Sequence, residues 1–203
     1  MSLGLGALTA RFDNVALRPF DASAPTIADP WPALRAWCLY GLGSGARPLL
    51  NPGAMPSVPV RLALAAYAGP GLPEAHTQAA ALALQLDGTR LLQQRGAVAG
   101  LGLRLQVKAQ DLMWWRSRQP QDVWDSGYVP AEPAAWQALM RFAPRRATLV
   151  VMPALPAEVV QRCLHALVPR SARFAHPVRV LVLGSAIDTK LGAITQLAPP
   201  GSA

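Results

Sequence analysis

The segment 111–128 concentrates aromatic and cationic side chains more strongly than any other part of the sequence. Tryptophan rings stack on nucleobases, and arginine forms paired hydrogen bonds with phosphate oxygens. The segment is therefore predicted to bind nucleic acid or to anchor a protein partner. The alternative is that Trp114 or Trp115 fills the core while the charges pair locally. The residues concerned are Trp114, Trp115, Arg116, Arg118 and Trp124.

A second basic surface is predicted on the stretch 101–108, where leucine and valine alternate with polar residues. This alternation is typical of a half-buried strand, with Arg104 and Lys108 on its exposed face. A third cluster precedes the last apolar run, in the order Arg170, Arg173, His176 and Arg179. This cluster is interpreted either as an anion-binding loop or as a solvated basic loop.

The overall charge agrees with an anionic partner. The chain has 19 basic and 11 acidic residues, a net charge of +8, and every basic residue except Lys108 and Lys190 is an arginine. Arginine's planar fork suits phosphate, and such an excess attracts polyanions. A high-GC coding sequence also raises the arginine content, so this bias does not assign a function by itself.

Enzymatic signals are weaker. The glycine loop 41–45 fits only the relaxed GxGxxA pattern, follows a predicted helix, and is interpreted mainly as a turn that ends this helix. Ser44 lacks the GxSxG context of a nucleophile elbow. Asp188 follows the last predicted strand and is the best single catalytic candidate, with a turn aspartate as the alternative.

No cofactor or metal is expected. Cys38 and Cys163 lie far apart, and the three histidines are scattered, so the ligand spacing of a zinc site is missing. The first residues lack the basic start of a signal peptide, and no run of 18 apolar residues is uninterrupted. We therefore expect a cytoplasmic protein with no membrane contact.

The elements that position these residues are clearest in the last third. Apolar runs at 147–152 and 178–183 flank a helical stripe at 156–168, which predicts two neighbouring strands with a helix packed on them. This unit is interpreted as βαβ or as part of a ferredoxin-like split unit. Further helices are predicted near 31–38, 73–86 and 133–142, and a strand from Val58 towards Gly69. For 73–86, a hairpin through Asp87-Gly88 is the rival interpretation.

The predicted fold class is α/β or α+β, with a mixed sheet and a C-terminal βαβ-like unit in one compact domain over 1–203. Residues 198–203 are expected to form a flexible tail. With 52% apolar and 15% charged residues, the composition excludes a disordered polyelectrolyte, a collagen and a disulfide scaffold.

Three functions compete. The first is a non-catalytic basic subunit that binds the RNA or DNA backbone within a larger assembly. The second is an interaction subunit that docks a protein through 111–128. The third is a small Rossmann-like transferase that uses the loop 41–45. Charge and the lack of a catalytic constellation favour the first.

Overall fold

A computed structural model describes residues 14–42, 60–94, 123–185 and 187–200, which build a five-stranded sheet with helices on both faces. The strands are β1 (Leu62–Tyr67), β2 (Asp125–Tyr128), β3 (Thr148–Met152), β4 (Val178–Leu183) and β5 (Ile194–Gln196). The helices are α1 (Pro32–Leu39), α2 (Leu72–Leu86), α3 (Thr89–Gln94), α4 (Pro133–Met140) and α5 (Ala157–Leu167). Two 3₁₀ turns follow at Val168–Arg173 and Thr189–Leu191.

The strand order is β2-β3-β4-β1-β5, and each of the neighbouring strand pairs is parallel. The predicted strand–helix–strand unit is confirmed: β3 pairs with β4, Val150 lies opposite Val180, and α5 packs on them. The α/β class is confirmed as well. In place of a mixed sheet, the described strands all run in one direction, as in the βαβ interpretation.

The strands send alternate side chains into two cores, one on each face of the sheet. Val150 and Val180 pack with α4 and α5, whereas Leu149 and Leu181 pack with α1 and α2. Every residue of β3 and β4 is buried. This double coverage explains why both strands read as continuous apolar runs in the sequence.

The alanine-rich stretch forms the helix α2 and not a hairpin. Pro73 stands in its first turn, where the missing N–H needs no partner, and Glu74 adds a favourable negative charge there. Gly88, with a φ of 75°, follows the helix end and allows the chain to leave it. Small side chains on the buried face let this helix approach the sheet closely.

The first strand lies later than its alternation predicted. It begins at Leu62 and continues through the buried residues Ala65, Ala66 and Tyr67. A strand covered on both faces has no polar face, so alternation does not mark its extent. The predicted helices near 31–38 and 133–142 correspond to α1 and α4.

Two sequence predictions extend beyond the described residues. The predicted strand 101–108 lies wholly outside them. The predicted tail begins at Ala198, whose carbonyl accepts a hydrogen bond from Trp31 Nε1 at 2.9 Å, and residues 201–203 again lie outside.

Candidate nucleic-acid interface

The parallel topology collects arginines at one edge of the sheet. All the described strands start at this edge, and the described helices that return the chain from the opposite edge end here. We call it the amino-terminal edge. Among the described residues, seven arginines lie beside the starts of β1, β3 and β4 or after the ends of α4 and α5: Arg61, Arg141, Arg145, Arg146, Arg170, Arg173 and Arg179.

Few described carboxylates oppose these arginines. Asp125 opens β2 and forms an ion pair with Arg146, with 3.6 Å between Oδ1 and Nη1. Both side chains are almost completely buried, so this pair belongs to the packing of the edge. Asp87, at the end of α2, is also buried, and its Oδ1 accepts the Thr89 N–H at 2.9 Å. The exposed part of the edge is therefore left basic.

Arg179 holds this edge together from inside. Its Nε donates to Cys38 O at 3.1 Å, and its Nη2 donates to Tyr40 O at 2.7 Å, so it satisfies carbonyls at the end of α1. Its Nη1 donates to Val60 O at 3.0 Å and to Val178 O at 3.3 Å. Burial lowers the pKa of its guanidinium. The sequence analysis interpreted the cluster that contains Arg179 as an anion-binding loop or as a solvated basic loop. For Arg179 both interpretations are wrong, because its side chain is fully buried.

Arg170, one of the predicted nucleic-acid contacts, caps another helix. Its guanidinium donates to Met140 O and, at 3.0 Å, to Arg141 O, the carbonyls that α4 leaves unpaired at its end. The group is fixed in place by these bonds and is only partly exposed. Its contact with a nucleic acid stays a prediction.

Four of the arginines remain exposed at the edge, namely Arg61, Arg141, Arg145 and Arg173, and we call them the arginine track. Arg61 Nη1 donates to Ala175 O at 2.9 Å, which ties the start of β1 to the chain just after Arg173. Arg141 reaches only Gln137 O of its own helix, at 3.4 Å. Within the described part of the chain, Arg173 has no bonded partner. The predicted contact Arg173 is therefore exposed at the amino-terminal edge, and its contact with a nucleic acid stays a prediction.

Only Arg173 was expected here from the sequence; Arg61, Arg141 and Arg145 were missed. They stand far apart in the chain and belong to no motif. The usable signal is positional, because Arg61 lies directly before β1, Arg141 lies directly after α4, and Arg145 lies in the short connection between α4 and β3. In a parallel sheet, these positions map to the same edge.

An exposed aromatic ring stands beside the arginine track. Tyr40 follows α1 and is 72% exposed, and it is the only aromatic residue among the exposed large hydrophobic side chains of the described residues. Its backbone is fixed at both ends, because its N–H donates to Trp37 O at 3.2 Å and its carbonyl accepts from Arg179. Arg179 also donates to the carbonyl of Val60, the neighbour of Arg61. The same guanidinium therefore contacts the backbone that carries the ring and the backbone next to the arginine track.

The opposite edge of the sheet is the usual ligand position in open parallel sheets, but its residues do not suit phosphate. In open parallel sheets, ligands bind at the carboxyl ends of strands whose outgoing connections diverge, here β1 and β4. The Gly69-Pro70-Gly71 turn and α2 follow β1, but Pro73 removes an N–H donor and Glu74 brings a negative charge. The Tyr67 hydroxyl donates a hydrogen bond to Pro70 O. The described cations of this edge include Arg18, which is paired with Glu132, and Lys190.

Other carboxylates also collect at this carboxyl-terminal edge. Glu132 and Glu158 stand where α4 and α5 begin, and Glu132 is paired with Arg18 at 2.8 Å. Asp188 accepts the Lys190 N–H through Oδ1 at 2.9 Å and so shapes a 3₁₀ turn. This bond agrees with the turn-aspartate interpretation of Asp188.

The glycine loop begins at the wrong end of a helix for phosphate binding. Gly41 follows α1 with a φ of 66°, and its carbonyl accepts the Val60 N–H at 3.0 Å. The end of a helix presents carbonyl oxygens, which repel phosphate. Gly41 therefore ends a helix, as the favoured interpretation predicted, and residues 43–45 lie outside the described residues.

The tryptophan-rich segment is described only at its end. Trp124 is buried in the core beneath α2, and its backbone N–H donates to Leu86 O at 2.9 Å. The prediction that Trp124 stacks on bases or anchors a partner is therefore wrong, because its side chain lies in the core. Six predicted contacts lie outside the described residues, namely Arg104, Lys108, Trp114, Trp115, Arg116 and Arg118.

Other kinds of site find little support. No three potential metal ligands cluster within the described ranges, and none of the described helices has the length and apolarity to cross a membrane. Cys38 and Cys163 are buried free thiols, and burial raises the pKa of Cys38 to about 12 and that of Cys163 to about 11. Comparisons with known protein families, curated proteins and solved structures found no match.

Proposed function

We propose that this protein is a non-catalytic basic subunit that binds the backbone of nucleic acid through its amino-terminal edge, within a larger assembly. The observation that carries the proposal is the separation of charge across the sheet. Exposed arginines collect where strands begin, and carboxylates collect where strands end. A polyanion is attracted to the first edge and repelled from the second.

Arginine supplies the required chemistry. Its fork forms two parallel hydrogen bonds with phosphate oxygens, and it stays charged at every physiological pH. Within the arginine track, Arg61 adjoins the start of β1, Arg141 adjoins the end of α4 and Arg173 ends a 3₁₀ turn, so the fold sets the spacing of these three residues. Such contacts fix the position of a nucleic acid without reading its sequence.

The contacts predicted from the sequence at residues outside the described ranges remain part of the hypothesis. Arg104 and Lys108, together with Arg116 and Arg118, would add phosphate contacts, and Trp114 and Trp115 would add stacking. They belong to the same proposal. Burial of Trp124 removes this residue from the base-stacking hypothesis and from the competing protein-docking hypothesis alike.

The test is an anisotropy titration with a labelled mixed-sequence single strand over a range of salt concentrations. Each phosphate neutralised on a single strand contributes about −0.7 to the slope of log K against log salt. We expect Arg141→Ala/Arg173→Ala to bind more weakly and to lower the magnitude of the slope by about 1.4, two contacts at that value. Arg104→Ala/Lys108→Ala should act in the same direction.

The matched control is Arg162→Ala/Lys190→Ala, which removes the same charge from exposed positions in the middle of α5 and at the carboxyl-terminal edge. Its slope should stay close to that of the wild type. Equal losses in the control and in Arg141→Ala/Arg173→Ala would show that net charge alone attracts the strand. Absence of binding at low salt, with a protein partner eluting alongside the purified chain, would favour docking instead.

A further inference from the structure

The amino-terminal edge carries an exposed aromatic side chain that packing does not explain. Tyr40 exposes 72% of its surface, while Trp31, Trp37 and Tyr67 on the same face of the sheet are buried. Exposing a large ring to water loses the free energy that its burial would give. The other exposed large hydrophobic side chains of the described residues are aliphatic, Val15 and Leu91.

The backbone that carries this ring is rigid. The Tyr40 carbonyl accepts from Arg179 Nη2 at 2.7 Å, and the same guanidinium bonds Val60 and Cys38. The ring is thus presented from a fixed position, which lowers the conformational entropy lost when a ligand binds.

Hydrogen bonds connect the backbone of Tyr40 with the arginine track. From Tyr40 the contacts lead through Arg179 to Val60 and Arg61, then from Arg61 to Ala175, and so to Arg173. A strand whose phosphates lie on these arginines would bring its bases to the phenol ring. An aromatic face beside a row of cations is the arrangement that binds unpaired nucleotides.

We infer that Tyr40 is a base-stacking residue and that the ligand of the amino-terminal edge is therefore single-stranded nucleic acid. This inference rests on the proposed function and adds the class of its ligand. In a duplex, both faces of every internal base are covered by neighbouring bases, so Tyr40 gains a contact only from an unpaired strand.

The first experiment compares a mixed-sequence oligonucleotide with its annealed duplex, in DNA and RNA forms that distinguish the two sources of single strands. Tyr40→Ala should bind the single strand about five- to a hundredfold more weakly, the range of one aromatic–base stack. Tyr40→Phe keeps the ring and should bind as the wild type does. Leu91→Ala, an exposed side chain on α3, is the control and should leave both affinities unchanged.

The second experiment uses an oligonucleotide of abasic sites, which keeps the phosphates and lacks the bases. Wild type and Tyr40→Ala should bind this strand equally, since no stack remains to be lost. An equal loss on the abasic strand, or no loss on the intact strand, would overturn the stacking role while the arginine slopes still support phosphate binding. Absence of wild-type binding to any of these strands would overturn the proposed function together with it.

Discussion

At the amino-terminal edge strands begin and helices end, whereas at the carboxyl-terminal edge strands end and helices begin. The charged residues of the two edges differ accordingly. At the amino-terminal edge, helices end with unpaired carbonyls, and Arg170 and Arg179 donate to them. At the carboxyl-terminal edge, helices begin, and Glu74 and Glu158 stand in their first turns. Helix dipoles stabilise both arrangements. Charge separation in this protein therefore begins as a property of the fold.

The two edges also differ in which charged side chains stay exposed once the helix ends have their hydrogen-bond partners. Arg179 and Arg146 are buried within the structure, but Arg61, Arg141 and Arg173 are exposed. At the other edge, Glu132 is paired with Arg18, and Asp188 shapes a turn. An arginine-rich edge can thus hold the fold with one set of side chains and meet a ligand with another.

The largest effect should come from separating these two sets of arginines. Arg179→Met removes the side chain that donates hydrogen bonds to four backbone carbonyls in the interior. Because these carbonyls lose that donor, we expect the free energy of unfolding to fall by roughly 3–5 kcal/mol. For a chain of this size, the melting temperature should fall by about 6–20 °C. Thermal and urea unfolding would measure it.

Arg173→Met is the matched control at the same edge. Its side chain is exposed, so stability should change by no more than about 0.5 kcal/mol. Similar losses in the two variants would mean that the exposed and buried arginines do not form separate sets.

The smallest effect should come from the acidic edge. Glu74→Gln/Glu158→Gln removes two exposed carboxylates about 20 Å from the arginine track, the length of six strand residues. Since the screening length is about 10 Å at 0.1 M salt, nucleic-acid affinity should rise less than about twofold there. A larger rise in a salt-dependent titration would place the ligand closer to the carboxyl-terminal edge.

Much of the architecture was predictable, because it depends on local patterns. The runs that became β3 and β4 are apolar at nearly every position, and α2 combines Pro73 and Glu74 with an alanine-rich stretch. Strand order was not predictable in this way. It depends on which crossovers the chain takes, and the placement of β1 between β4 and β5 leaves no local mark.

The candidate site was harder to predict for the same reason. Arg61, Arg141 and Arg173 are brought together only by the strand order. An arginine that bonds carbonyls also looks the same in a sequence as one that meets solvent. Arg179 did carry a signal, because it is the second residue of an apolar run that is buried throughout.

The central claim is that nucleic acid lies along the amino-terminal edge. Ultraviolet crosslinking of the protein to a mixed-sequence single strand, followed by mass spectrometry of the attached peptides, tests it directly. We predict crosslinks in peptides that contain Tyr40 or Arg61 and in those from 170–176. Crosslinks confined to 69–76 and 184–190, at the carboxyl-terminal edge, would contradict the account.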